Sequence, residues 1–286
     1  MTPLKNFIKD NPVLTYFALT FILTWGGMAL AIYPGRFPIS EEKLATSEAL
    51  VYGAMLIGPS GAAILLTGLL DGLSGFRDLF SRLIKWRVGI SWYAVALLTA
   101  PLLMSIILFT LSLISPAFKP AIFASAENTP ALLPAIMAGL AVGLFEEIGW
   151  TGFATPRLRS RYSVLTTGLI IGIVWGAWHF LPFWETDTFS GAFPLFLLII
   201  RLFSWLPPYR ILMVWVYDHT ESLFLSILMH ASLMAGLTIF VPADLSSTPL
   251  AVWILAWAVA LWIGVGAVIM INRKRFRQHA SQRQIA

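Results

Sequence analysis

Long apolar runs separated by short polar clusters organise this chain of 286 residues. Runs over 13–33, 49–70, 90–115, 131–156, 163–184, 192–217, 221–241 and 248–271 are each long enough, at a helical rise of about 1.5 Å per residue, to cross a hydrocarbon layer about 30 Å thick. No run alternates in the way a membrane barrel strand must. The pattern therefore predicts an all-α fold, a polytopic membrane helical bundle of about eight transmembrane helices, as one integral membrane domain over 1–286 without internal repeats. Asp10-Asn11-Pro12 opens the first run, with Asn11 as the expected cap and Pro12 in the first turn. That run is longer than the core of a cleavable signal, so it is read as a retained helix. Gly72 to Arg87 differs from the rest. Phe76, Leu79, Phe80, Leu83 and Ile84 recur there among charges at helical spacing, as in an amphipathic segment lying on a membrane surface.

Composition agrees with lipid as the main solvent. Hydrophobic residues make up 58% and charged residues 12%, against about a quarter charged in soluble domains. There is no cysteine, which removes disulfides, iron–sulfur clusters and thiolate nucleophiles together. The net charge of +5 does not point to nucleic acid, because the basic residues flank the apolar runs. Lys5, Lys9, Arg77, Arg82, Lys85, Arg87, Arg157, Arg159, Arg161, Arg273, Lys274, Arg275, Arg277 and Arg283 fall on one side, and Arg36, Lys43 and Lys119 on the other. The imbalance predicts cytoplasmic termini, and the expected location of this multi-pass protein is the plasma membrane. The expected partners are the lipid bilayer and a protein or peptide substrate, with no nucleic acid. Arg201 and Arg210 remain, both inside the sixth run, where Pro207-Pro208 should break the helix.

Ionisable groups are expensive at membrane depth and so mark function. Glu146, Glu147, His179 and His230 all lie within apolar runs. Glu146 precedes the turn near Tyr162-Ser163 by as many residues as His179 follows it, which puts both at one depth in an antiparallel hairpin, about 24 Å from the turn. Ala135, Gly139 and Gly143 on one helix, and Gly168, Gly172 and Gly176 on the next, form small-residue stripes expected to pack this hairpin together. Ser222, Ser226 and His230 form a polar stripe expected to face the bundle interior. A carboxylate pair with two imidazoles offers a base, a proton donor and an oxyanion partner for activating water against an amide. The same groups could instead form a structural hydrogen-bond knot or a proton path, or bind zinc through Glu146, His179 and His230. Asp218 and His219, in a short turn, are read as solvated.

At these residues the chain resembles the CPBP family of intramembrane proteases, which includes the type II CAAX prenyl endopeptidases and bacteriocin-processing homologues. The motifs are Glu146-Glu147-Ile148-Gly149-Trp150-Thr151, Trp175-Gly176-Ala177-Trp178-His179 and His230-Ala231-Ser232-Leu233-Met234, within a protease-like core of about 131–241. The resemblance implies that Glu146 and His179 activate water, Glu147 assists and His230 stabilises the oxyanion, with Trp150, Trp175 and Arg210 on the substrate side. Two positions depart from the family pattern. Thr151 stands where many members carry arginine, and Met234 where many carry asparagine, a proposed oxyanion donor. No metal is expected, since no His-Glu-x-x-His helix is present; zinc on Glu146, His179 and His230 is the alternative. Besides endopeptidase activity, two other readings stand: a catalytically weakened homologue acting as a scaffold or immunity protein, and, last, a small-solute or proton transporter, which the lack of repeat symmetry disfavours. Two adjacent buried carboxylates need a cation, and with Thr151 in place of the family arginine, Arg210 is the first candidate to clamp Glu147.

Overall fold

A computed structural model describes residues 3–123 and 132–273. The basic tail from Lys274 onward, with His279, and the first residue of the 131–156 run lie outside the described residues. The helices are α1 (Pro3–Asp10), α2 (Pro12–Ile32), α3 (Glu41–Leu70), α4 (Gly72–Leu83), α5 (Ile90–Ser112), α6 (Leu132–Gly149), α7 (Thr155–Arg159), α8 (Val164–Trp178), α9 (Phe180–Phe183), α10 (Ala192–Phe203), α11 (Leu206–Thr220), α12 (Leu223–Phe240) and α13 (Ser247–Ile271). A π-helical turn, Trp150–Ala154, joins α6 to α7. Among the described residues seven stretches are long and apolar enough to span a membrane, and α8 is a shorter apolar helix beside them. The protein is a multi-pass, all-α membrane bundle.

Local chemistry sets most boundaries. Ser40 accepts a hydrogen bond from the Lys43 amide, and Glu41 and Glu42 fill the first turn, so α3 starts ahead of its apolar run. Ser163 and Ser222 cap α8 and α12 in the same way. Pro12 does occupy the first turn of α2, but Asn11 makes no side-chain cap there; its amide donates instead to the Phe7 carbonyl, within the turn that ends α1. The sixth run breaks as the proline pair requires. α10 stops at Phe203 and α11 restarts at Leu206, with the prolines in its first turn, where missing N–H groups leave no bond unmade.

The small-residue stripes are real contact faces, but their partners differ from the expected hairpin. A methyl placed on Gly139 or Gly143 would lie 2.6 Å from the carbonyl of Ala231 or Ile227, both on α12. On Gly168 or Gly172 it would meet the backbone of Ile211 or Pro207, on α11, at 2.5 Å. Thus α6 seats on α12 and α8 on α11. A glycine face announces that some backbone comes close without saying whose. The stripe of Ser222, Ser226 and His230 faces the interior, as expected, and all three are fully buried.

One end of the bundle gathers the basic loops. Arg157 pairs with Asp71, Lys85 with Glu221 at 3.1 Å, and Arg159 with Asp218 at 2.8 Å. Asp218 is therefore buried against Arg159 instead of solvated, and the His219 ring lies 4.9 Å from Trp92. At the opposite end Arg201 bonds Glu185 at 2.6 Å, so its charge leaves the apolar layer.

Candidate active site

The two carboxylates sit in the last turn of α6 and have different surroundings. Glu147 is fully buried and saturated. Arg210 reaches it from α11 with two parallel bonds, Nη1 to Oε2 at 2.8 Å and Nη2 to Oε1 at 3.0 Å. His230 Nδ1 contacts Oε1 at 2.7 Å, and the Thr151 hydroxyl donates to Oε2. The cation called for by adjacent carboxylates is supplied by Arg210, in the forked geometry that suits guanidinium and carboxylate. Thr151 holds the same carboxylate with an uncharged hydroxyl donor.

Glu146 is bound by indoles. Trp175 Nε1 donates to its Oε2 at 2.9 Å, and Trp150 Nε1 donates to the same oxygen at 3.3 Å, leaving Oε1 as its second acceptor. Trp175 is also the hub of the aromatic packing. The Arg210 guanidinium carbon lies 4.4 Å above its ring, and the His230 and His179 rings stand edgewise at 5.3 and 5.5 Å. Glu146, His179, His230 and Arg210 therefore all touch one indole, although their helices are not neighbours in the order the hairpin implied.

The histidines are oriented by their Nδ1 atoms. At 2.8 Å from the Trp175 carbonyl, which can only accept, His179 Nδ1 carries the hydrogen, and Nε2 is the atom left for chemistry. His179 ends α8: the chain turns there and α9 follows as a single turn, so the expected continuous run to 184 is interrupted at the functional residue. His230 Nδ1 is committed to Glu147, and its Nε2 is buried without a protein partner. Metal-binding histidines are commonly braced in this way. Among the described residues, however, no three His, Asp or Glu side chains gather closely enough to hold a metal ion, and both oxygens of Glu147 are already engaged.

The sequence placed Trp150, Trp175 and Arg210 on the substrate side; their polar atoms point to the carboxylates. The spacing of four from Glu146 to Trp150 and from Trp175 to His179 was the available signal for this indole framework. The π-helical turn behind the carboxylates had no signal. It leaves carbonyls outside the regular ladder, and side chains satisfy them: Thr155 Oγ1 donates to Trp150 O at 2.8 Å, Arg82 Nη1 to Gly152 O at 3.0 Å and Arg157 Nη1 to Phe153 O at 3.0 Å.

Comparison with known proteins converges on this region. Residues 128–235 match the family model described as Type II CAAX prenyl endopeptidase Rce1-like. CAAX prenyl protease 2 of Methanococcus maripaludis is 25% identical over 233 residues, which cover 78% of this chain and 82% of that protein.

Proposed function

We propose that the chain, whose residues 128–235 resemble the type II CAAX prenyl endopeptidases, is an intramembrane endopeptidase that hydrolyses a peptide bond with water activated by Glu146 and His179. The observation that carries this reading is the convergence of Glu146, His179 and His230 on Trp175, with one carboxylate neutralised by Arg210 and the other held by indole N–H groups and, among the described residues, in no ion pair with Lys or Arg. Glu146 and the free Nε2 of His179 draw a proton from water, and the resulting hydroxide attacks the amide carbon. The tetrahedral oxyanion faces His230 Nε2, which donates when the ring is an imidazolium braced by Glu147. The proton then passes to the leaving nitrogen as the C–N bond breaks. No step is assigned to a metal, because Glu146 and His179 suffice as acid and base. The substrate is a peptide segment that enters the bundle from the cytoplasmic side. The basic end is assigned to the cytoplasm from the distribution of Lys and Arg.

The weakened-homologue reading is favoured by one feature. Met234, one turn beyond His230, offers a thioether where an amide donor would stand, and the loss of such a donor costs about 3 kcal/mol of transition-state stabilisation. Replacing Glu146 decides between the two readings. In proteoliposomes carrying the full-length protein and a proteome-derived peptide library, Glu146→Gln abolishes cleavage while the melting temperature stays within a few degrees of wild type. Cleavage that persists in that variant would assign the site to binding alone.

A further inference from the structure

The surface helix α4 reaches the site at three points. Near its C-terminal end, Arg82 Nη1 donates both to Gly152 O in the π-helical turn, at 3.0 Å, and to the Tyr217 hydroxyl on α11, at 2.9 Å, while Nη2 holds Asp78 at 2.7 Å. At its N-terminal end, Asp71 pairs with Arg157, whose other nitrogen donates to Phe153 O. Between them, Leu79 lies so near Gly152 that a methyl on that glycine would stand 2.7 Å from Leu79 Cδ1. Burial opposes the charge on Arg82, but the Tyr217 hydroxyl and the Asp78 carboxylate outweigh it and hold its pKa above the ordinary arginine value. The two elements that Arg82 joins are those that grip Glu147: the π-helical turn carries Thr151, and α11 carries Arg210 two turns before Tyr217.

We propose that Arg82 is a positioning residue for the carboxylate pair, locking the π-helical turn to α11 from the membrane surface and so fixing how Thr151 and Arg210 hold Glu147. The proposal rests on the endopeptidase reading for its consequence in catalysis, but not for the geometry it describes. Neighbouring guanidinium and hydroxyl donors set the infrared stretching frequency of a carboxylate, so the Glu147 band, identified as the one lost in Glu147→Gln, reports the grip directly.

The test compares full-length wild type with Arg82→Gln, Arg82→Lys and Tyr217→Phe in the same lipid. Arg82→Gln is expected to move the Glu147 band and to lower kcat about tenfold or more with KM within about twofold, as misplacement of a catalytic group does. Tyr217→Phe gives a smaller change of the same kind, and Arg82→Lys, which keeps the charge on a single donor nitrogen, recovers part of the rate. If Arg82→Gln does not fold, Gly152→Ala leaves Arg82 in place while forcing Leu79 away, and it should move the band likewise. An unchanged band and kcat in a folded Arg82→Gln, or a rise in KM at constant kcat, overturns the proposal. If wild-type protein cleaves nothing, the endopeptidase reading fails on its own, and the band still decides whether Arg82 positions Glu147.

Discussion

At the scale of single residues, the division of labour between Glu146 and Glu147 follows from their donors. A carboxylate that takes two guanidinium bonds, an imidazole and a hydroxyl has no lone pair well placed for water, whereas one bound by two indole N–H groups keeps an oxygen open. The need for a cation could be read from the sequence, because two acids side by side in an apolar run cannot both be charged without one, and Arg210 was the nearest basic residue that a helix break could turn inward. The hydrogen bond from Trp175 to Glu146 was legible only in part: the spacing of four to His179 put the indole beside the site, but only tertiary contacts show where its N–H points. Arg210→Ala leaves Glu147 buried without its guanidinium, held only by His230 and the Thr151 hydroxyl, and should lower stability by about 3–5 kcal/mol, seen as a fall in melting temperature in detergent. Adding Thr151→Arg in that background should recover part of the loss, because residue 151 already bonds the same carboxylate one turn away. A double variant no more stable than Arg210→Ala would show that the cation must come from α11.

At the scale of elements, the sequence specified depth better than partnership. Counting residues from the turn placed Glu146 and His179 at one level, and both reach the same indole, yet the glycine stripes that were to join α6 with α8 serve other pairs, α6 with α12 and α8 with α11 and, at Gly176, with α10. Close-approach faces are sequence-local, while the choice of partner depends on the whole arrangement of helices. This predicts which contacts a small substitution will damage. Gly143→Ala pushes α6 from α12 and so moves Glu147 relative to His230, whereas Gly172→Ala pushes α8 from α11 and moves Trp175 relative to Arg210. Each should destabilise by about 1–3 kcal/mol. A cysteine crosslinking rate between α6 and α12 should fall in the first variant and stay constant in the second. An equal effect of both variants on that rate would mean that the two interfaces are not separate.

For the whole molecule, the ion pairs Arg157–Asp71, Lys85–Glu221 and Arg159–Asp218 collect at one end, with Arg201–Glu185 at the other. Hydropathy and charge made the multi-pass bundle legible, since the membrane imposes helices and the basic loops share a side. The chain has no native cysteine, so single cysteines can be labelled without a background. Ser81→Cys should react with an impermeant maleimide only after the cells are opened, and Thr186→Cys in intact cells; the reverse pattern would invert the topology. The π-helical turn is what no such profile detects. Side chains after Ala154 stand about 100° from where an uninterrupted α-helix would place them. Geometrically the turn holds one residue more than an α-helical turn would, and losing any one residue between Trp150 and Ala154 would swing Arg157 and Arg159 away from Asp71 and Asp218 while leaving length, charge and hydropathy almost untouched, a lesion silent to every measure taken along the chain.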